Sequence, residues 1–537
     1  MNEAGRNLDP ITLEVLRNTL EATAQEMGAV LKLTAFSTNI KERMDASCAI
    51  FDSLARLVAQ AEHVPVHMGS MLAAIGTTLA AIAPLEEGDV IVVNDPFVAG
   101  AHLPDVLLVA PVHARGALIG YVAARAHHAD VGGMEPGSMP GRSTEIFQEG
   151  IVIPPVLLYR KGKLRADIER MILANVRTPT ERRGDLNAQL ACLRIGERRL
   201  KELVEKFGAA FLAQGFESIL DYSERRMMHR IAEIPAGTYS GEDSLDDDGM
   251  SPEPVRLRLT VTVGREGIVL DFAGSALQRR GNINAVGPMT HSAVYFALKV
   301  IMDPSIPANS GAFRPFDIRI PQGSVLNAMS PAAVCAGNTE TTQRVADLVF
   351  KVFAGIVPDR VPAASQGTMN LIGIGGRDPR SGRTYTYVET IAGGQGGRPM
   401  GHGQDGIQCN MTNTMNTPVE ALEISYPLRV ERYELREGSA GAGRHRGGMG
   451  VIRTIRVVGH DARVSIQSDR RVLRPYGLHG GADGKEGLNY VTDSQGRQTG
   501  QPGKTTLTLH AGEAITVESP GGGGWGADDQ SAGRQPD

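Results

Sequence analysis

Aromatic residues are scarce in this 537-residue chain, at 5% with a single tryptophan, which argues against a binding site built on stacked rings. Positive charge is not in excess either. Lys and Arg number 55 against 60 Asp and Glu, and a net charge of −5 excludes a broad basic surface for nucleic acid or a polybasic membrane anchor. The four cysteines, Cys48, Cys192, Cys335 and Cys409, lie far apart without CxxC spacing. That excludes a zinc ribbon and a disulfide framework, and fits a reducing cytoplasm. No run of about 18 apolar residues occurs and Met1–Pro10 is polar, so neither a membrane span nor a signal peptide is expected. Familiar enzyme motifs are missing as well. There is no Gly-x-Ser-x-Gly, and Gly503-Lys504-Thr505 ends like a phosphate loop but has Gln498 where the first glycine belongs. The runs GIGG (373–376) and GGQGG (393–397) complete no dinucleotide fingerprint and read as tight turns. Nucleotide binding by this chain alone is not expected.

What is abundant is glycine and proline, 64 and 30 residues, which points to a turn-rich protein rather than a helical bundle. Asp9-Pro10 reads as the start of a helix running to about Leu33, and Met68–Ile82 as a second. Residues 48–59 read as a hairpin turning at Asp52-Ser53, and 90–93, 106–112 and 118–126 as strands. Thr178-Pro179-Thr180-Glu181 reads as a capping box opening a helix to about Phe207, with another helix over 217–233. These patterns predict an α+β, multidomain mixed fold. Its expected parts are a mixed α/β unit over 1–235, a central α/β unit over 236–415 and a β-rich unit over 416–526. GGGGWG (521–526) is expected to fray, and 527–537 to form a disordered polar tail.

Histidine is unevenly placed. Six of 13, His63, His67, His102, His113, His127 and His128, fall within 63–128, about an eighth of the chain. AHLPD (101–105) supplies His-x-x-Asp, and RAHHAD (125–130) adjacent histidines. An antiparallel hairpin about a 113–116 turn places position 102 opposite 127, roughly 5 Å apart on one face, with Asp105 approaching from the same loop. Two imidazoles and a carboxylate suit zinc, manganese or iron. Period-2 alternation puts His127 and His128 on opposite faces, and the register favours His127 as the ligand. The alternative is a set of surface or hydrogen-bonded loop histidines. His63 and His67, i and i+4 around Pro65, are either loop contacts or supports for the ligands. The run Asp246-Asp247-Asp248 reads as a solvated loop.

Eight strings in order carry a resemblance: KERMDASCAIFD (41–52), HVPVHMGSM (63–71), NDPFVAGAHLPDV (94–106), ILANVRTPTERRGDL (172–186), GNTETTQRVAD (337–347), NTPVEALEISYPLRVERYELR (416–436), RHRGGMGV (444–451) and SPGGGGWG (519–526). Together they resemble the hydantoinase B / 5-oxoprolinase family, related to acetone and acetophenone carboxylase large subunits, from about residue 8 to 526. The resemblance implies a divalent metal held by His102, Asp105 and His127, with Asp45 of the Glu-Arg-x-Asp-x-Ser segment as a further ligand. His128 or His67 would then transfer protons or steady the ligands. The sequence departs from the family at Ala55, where a glycine is expected, and at Asn309-Ser310-Gly311-Ala312, which lacks the expected cysteine and so weakens any thiol chemistry there.

The resemblance also implies a hydantoinase A-type partner that binds ATP and magnesium, in a heterotetramer or larger assembly. The leading expectation is the B-type subunit of a cytoplasmic, ATP-dependent amidohydrolase opening a hydantoin, lactam or 5-oxoproline ring through a phosphorylated intermediate. A subunit of an ATP-dependent ketone carboxylase is the second, and a non-catalytic scaffold for the ATP-binding subunit the third. Neither nucleic acid nor membrane is expected as a partner.

Overall fold

The structure, a computed structural model, describes residues 8–61 and 64–528. His63 and most of the polar tail lie outside the described residues. Asp9 caps the first helix, Pro10–Thr34, accepting from the Ile11 and Thr12 amides, with Pro10 at the position where a missing N–H costs nothing. Seven antiparallel strands follow: β1 Ala46–Asp52, β2 Leu57–Ala61, β3 Val90–Val93, β4 Asp105–Ala114, β5 Ala117–His127, β6 Val156–Arg160 and β7 Lys163–Leu164, in the spatial order β2-β1-β5-β4-β3-β6-β7. The strands read as continuous apolar runs because both faces are covered. Cys48, Ile50, Leu108, Val122 and Ala124 enter the core shared with helices Pro10–Thr34 and Pro179–Phe207. The alternate residues Ala49, Phe51, Leu107, Val109 and Ala123 pack on Met71, Ala74, Ile75 and Leu79 of helix His67–Ile82.

Three expectations in this region are corrected. The β4–β5 turn is the two-residue Arg115-Gly116, both at positive φ (51° and 80°), not a four-residue turn over 113–116. This mirror-image turn matches the twist of the flanking strands, and with a bulge at Val112/His113 it sets Asp105, not His102, opposite His127. Thr178 forms no side-chain cap on helix Pro179–Phe207: its hydroxyl is buried and makes no hydrogen bond. The following helix is Ala209–Ile231, starting well before 217, directly after Gly208 at φ 86°. The hairpin turn after Asp52 places Ala55 at φ 61°, the conformation glycine adopts most easily, which accounts for the glycine expected there.

A second sheet joins strands 237–245, 255–263, 268–271 and 316–319. A third combines 371–377 and 384–390 with 462–467 and 504–509, and a fourth holds 428–435, 451–457, 488–492, 498–501 and 514–518. The fold is therefore a multidomain α+β mixture with several sheets. Because the third sheet draws strands from both sides of residue 415, we propose that the C-terminal unit begins upstream of 371. GIGG lies within strand Leu371–Arg377 and is not a turn.

GGGGWG does not fray. Residues 521–526 are buried, and a Cβ on Gly521, Gly522, Gly523 or Gly524 would lie 2.0–2.1 Å from the carbonyl oxygens of Ser439, Gln395, Tyr476 and Ala442 respectively. The segment is the axis of a bundle in which backbones bond to backbones: Gly523 N–H to Ala364, Gly397 N–H to Gly523, Gly522 N–H to Gly448 and Gly441 N–H to Gly522, at 2.8–2.9 Å. GGQGG belongs to the same bundle and is not a free turn.

The acidic run is likewise not solvated. Asp246 accepts from the amides of Arg471, Val472 and Leu473, and Asp248 from those of Met250 and Ser251. Nearby, Asp469 bridges Arg344 (2.7 Å) and Lys504 (2.9 Å), so the lysine of the phosphate-loop-like triplet is a buried structural cation. Glu340 faces this network, and burial first, then the Asp469 charge, pushes its carboxyl up to about 8. Its unfolded value is the ordinary 4.5, so between these two the folded chain holds the proton that the unfolded chain releases. Stability therefore falls with rising pH across that window, by about 1.4 kcal/mol per unit. Glu340→Gln removes that slope and is more stable than the parent at pH about 8, with a difference that shrinks toward pH about 5. Urea unfolding at the two pH values checks this, and parallel curves for both proteins would refute it.

Candidate metal centre

His102 sits in the loop between β3 and β4. Asn94 shapes that loop by donating to the Leu103 and Ile151 carbonyls and accepting from the Ile153 amide, and Gly100 turns it at φ 70°. Asp105 opens β4 and His127 ends β5, directly across the ladder. The three side chains are buried and converge: His102 Nε2 lies 3.1 Å from Asp105 Oδ1 and 3.1 Å from His127 Nδ1, which is 3.0 Å from the same carboxylate oxygen. Thus the ligand trio expected from the hairpin meets, although through a different register.

The donor chemistry fits a cation. His102 Nδ1 is 3.0 Å from the Cys335 carbonyl, which only accepts, so Nδ1 carries a proton and Nε2 is the ring nitrogen turned toward the carboxylate. Burial disfavours the His102 imidazolium, but the Asp105 charge and the hydrogen bond to it raise the imidazole overall, so without a cation Nε2 donates a second proton to the carboxylate, at the position a cation would take. Three donors held at the usual zinc–nitrogen distance of about 2.05 Å in a tetrahedron stand about 3.3 Å apart, close to the spacing here. Among the described residues, this trio is the group of three or more such side chains whose donor atoms all lie within 4.8 Å. Burial alone would raise the Asp105 carboxyl, but the His102 charge, with hydrogen bonds from His102 and His127, holds it well below the usual carboxylate range.

The other expected residues divide. His67 is buried beside the trio, with Nδ1 3.0 Å from Ser47 Oγ and Nε2 3.4 Å from Asp105 Oδ2. Asp45 lines the same cavity without joining the converging donors, and its carbonyl accepts from the His127 amide. His128 points away from the cavity, as alternation requires. Its Nε2 meets Gln189 Oε1 at 2.9 Å, and burial, reinforced by Arg182, pushes its imidazole down to about 4. A neutral histidine held by helix Pro179–Phe207 is poorly placed to exchange protons in the cavity.

Sequence reasoning missed the turn 334–338, which reaches the site from more than 200 residues away. Glu149 accepts from the Val334 and Cys335 amides, Cys335 presents its carbonyl to His102, and Asn338 Nδ2 donates to Asp105 Oδ2 at 3.1 Å. Asn338 stands in the GNTETTQRVAD string, which was the one signal available. Asn338→Ala is expected to weaken zinc binding about 10–100-fold with the fold intact. Competition with a chelating dye measures this, and parental affinity would deny Asn338 the role.

A family model described as hydantoinase B/oxoprolinase matches residues 9–528, and the chain belongs to that family. It is 37% identical to 5-oxoprolinase 1 of Arabidopsis thaliana over 97% of this chain and 42% of that one, and so spans less than half of that relative. It is 31% identical to the putative D-/L-hydantoinase B-type subunit of a Pseudomonas species, over 97% and 90% of the two chains. Among solved structures, the ATP-dependent caprolactamase from Pseudomonas jessenii superposes with a TM-score of 0.91 at 29% identity, covering 97% and 91%. A nucleotide-free acetone carboxylase shares the fold, with a TM-score of 0.88 at 19% identity over 97% and 77%.

Proposed function

We propose that this chain is the B-type subunit of an ATP-dependent enzyme that opens a cyclic amide of the hydantoin, lactam or 5-oxoproline type. The observation that carries this reading is the buried convergence of His102, Asp105 and His127, in a chain whose relatives include a caprolactamase and 5-oxoprolinases. The ATP site belongs to a hydantoinase A-type partner, which is consistent with the absence of a phosphate loop here and with the length of 5-oxoprolinase that this chain leaves uncovered.

An amide carbon resists water because its carbonyl is weakly electrophilic. Phosphorylation of the carbonyl oxygen makes the carbon reactive and supplies a leaving group. His102, Asp105 and His127 would hold a divalent cation, which would supply Lewis acidity for activating water near neutral pH. Cys335 and Asn338 orient the ligands, and His67, between Ser47 and Asp105, is the group placed to relay a proton.

The chain and its partner should open hydantoin, 5-oxoproline or caprolactam with ATP consumption and without bicarbonate. Turnover of acetophenone that depends on bicarbonate, with no ring opening, would replace this reading by the ketone carboxylase. The shared fold with acetone carboxylase keeps that second reading in view.

A further inference from the structure

Among the described residues, six arginines are almost wholly buried: Arg43, Arg125, Arg182, Arg344, Arg453 and Arg470. Four are paired with Asp185, Asp469, Glu389 and Asp347 respectively. Among the described residues no carboxylate lies within ion-pair distance of Arg43 or Arg125, and of these two only Arg43 lines the metal cavity. Its guanidinium donates only to neutral acceptors: the Val388 carbonyl (2.7 Å), the Asn39 side chain, Thr390 Oγ1 (2.8 Å) and Thr414 Oγ1 (3.4 Å). Its Nε is buried and makes no hydrogen bond.

Hydroxyls surround this charge. Thr390 Oγ1 is 2.7 Å from Thr414 Oγ1, which is 3.2 Å from Thr412 Oγ1, and all three threonines line the cavity. Hydroxyls rotate, so the same atoms that now accept from Arg43 or one another can donate to an incoming oxygen. A buried cation without a counter-charge is costly, and it is retained where an anion completes it. The charge count agrees. Two neutral imidazoles and one carboxylate leave a divalent cation with positive charge in excess, and Asp45, which lines the cavity beyond ion-pair distance of Arg43, balances only one of the two positive charges that remain, so the loaded cavity stays one anion short.

We propose that Arg43, with Thr390, Thr412 and Thr414, forms an oxyanion subsite beside the metal centre. It takes the oxyanion end of the reacting species through the Arg43 charge, its unpartnered Nε–H and the threonine hydroxyls, a set that suits carboxylate and phosphoryl oxygens alike. The inference rests on the reading that this cavity is the reaction site. The two sources of such an oxyanion are the phosphoryl group of an activated amide and the bicarbonate of a carboxylation.

The test uses the full chain, metal-free and zinc-loaded, without partner or ATP. Inorganic phosphate and bicarbonate are titrated by calorimetry, with chloride at equal ionic strength as control. The parent chain should bind one of the two oxyanions and not chloride, and the stronger binder names the source. Arg43→Gln should bind it at least tenfold more weakly in both metal states. Should that variant fail to fold, Thr412→Val must show the same weakening. Equal binding by parent and folded variants, or no binding by the parent, overturns the subsite. The function reading fails separately: oxyanion binding through Arg43 without any ATP-dependent ring opening removes the proposed activity and leaves the subsite. Ring opening with unchanged kcat and KM in Arg43→Lys removes the subsite and leaves the activity.

Discussion

His102→Ala and His127→Ala chains are expected to fold as the parent does, to retain no stoichiometric zinc, manganese or iron, and to lose turnover with the partner by about 10³-fold or more. The expectation rests on geometry. Each imidazole is one of three donors meeting at 3.0–3.1 Å, and the cavity offers Asp45 and His67 as the remaining nearby groups, neither of which joins the converging set. Folding should survive, because neither ring contributes to the apolar clusters that hold the sheet, and the His127 amide still donates to the Asp45 carbonyl. Elemental analysis of parent and variants comes first, with activity beside it. One equivalent of metal in the parent and none in the variants supports the metal centre. Variants that lack metal yet keep full activity with the partner would leave the chain as a scaffold for the ATP-binding subunit.

The trio is legible in the sequence because its members lie within 25 residues of one another, on one hairpin and the loop that leads into it, where counting histidines and applying period-2 alternation suffices. The register is not. Whether a hairpin closes through two residues or four depends on Arg115 adopting positive φ, for which an arginine carries no local signal. The supports are out of reach for another reason. Cys335 and Asn338 arrive from a turn more than 200 residues beyond the hairpin and Arg43 from the loop ahead of β1, and no spacing rule links residue 43 or 338 to residue 105. The helix at Pro10 and the strands at 90–126 are readable because capping chemistry and apolar runs are local. The acidic run at 246–248 misleads because its burial depends on the amides of residues 471–473, which come from a different sheet region.

Gly523→Ala should be among the most destabilising single substitutions in the C-terminal unit, although it adds one methyl group. That methyl would lie 2.1 Å from the Tyr476 carbonyl oxygen and close to the Gly477 amide, and both belong to backbone that cannot rotate aside. The same peptide is held by Gly523 N–H to Ala364 and by Gly397 N–H to Gly523, so relieving the clash breaks the bonds that define the bundle. Overpacking of an ordinary side-chain core costs about 1–3 kcal/mol, and a clash against fixed backbone should exceed that, at about 4 kcal/mol or more. Trp525, the sole tryptophan, sits two residues on against His445 and His479, so its fluorescence reports this bundle directly. A large fall in the urea midpoint followed through Trp525, or loss of soluble protein, is the expected result. Gly76→Ala is the matched control. It lies exposed within helix His67–Ile82, an added methyl there meets nothing within 4 Å, and it should stabilise by about 0.5–1 kcal/mol. If both substitutions leave the midpoint unchanged, the glycines at 521–524 are not there for close backbone packing, and the apparent frailty of GGGGWG in the sequence would be the better guide to its behaviour.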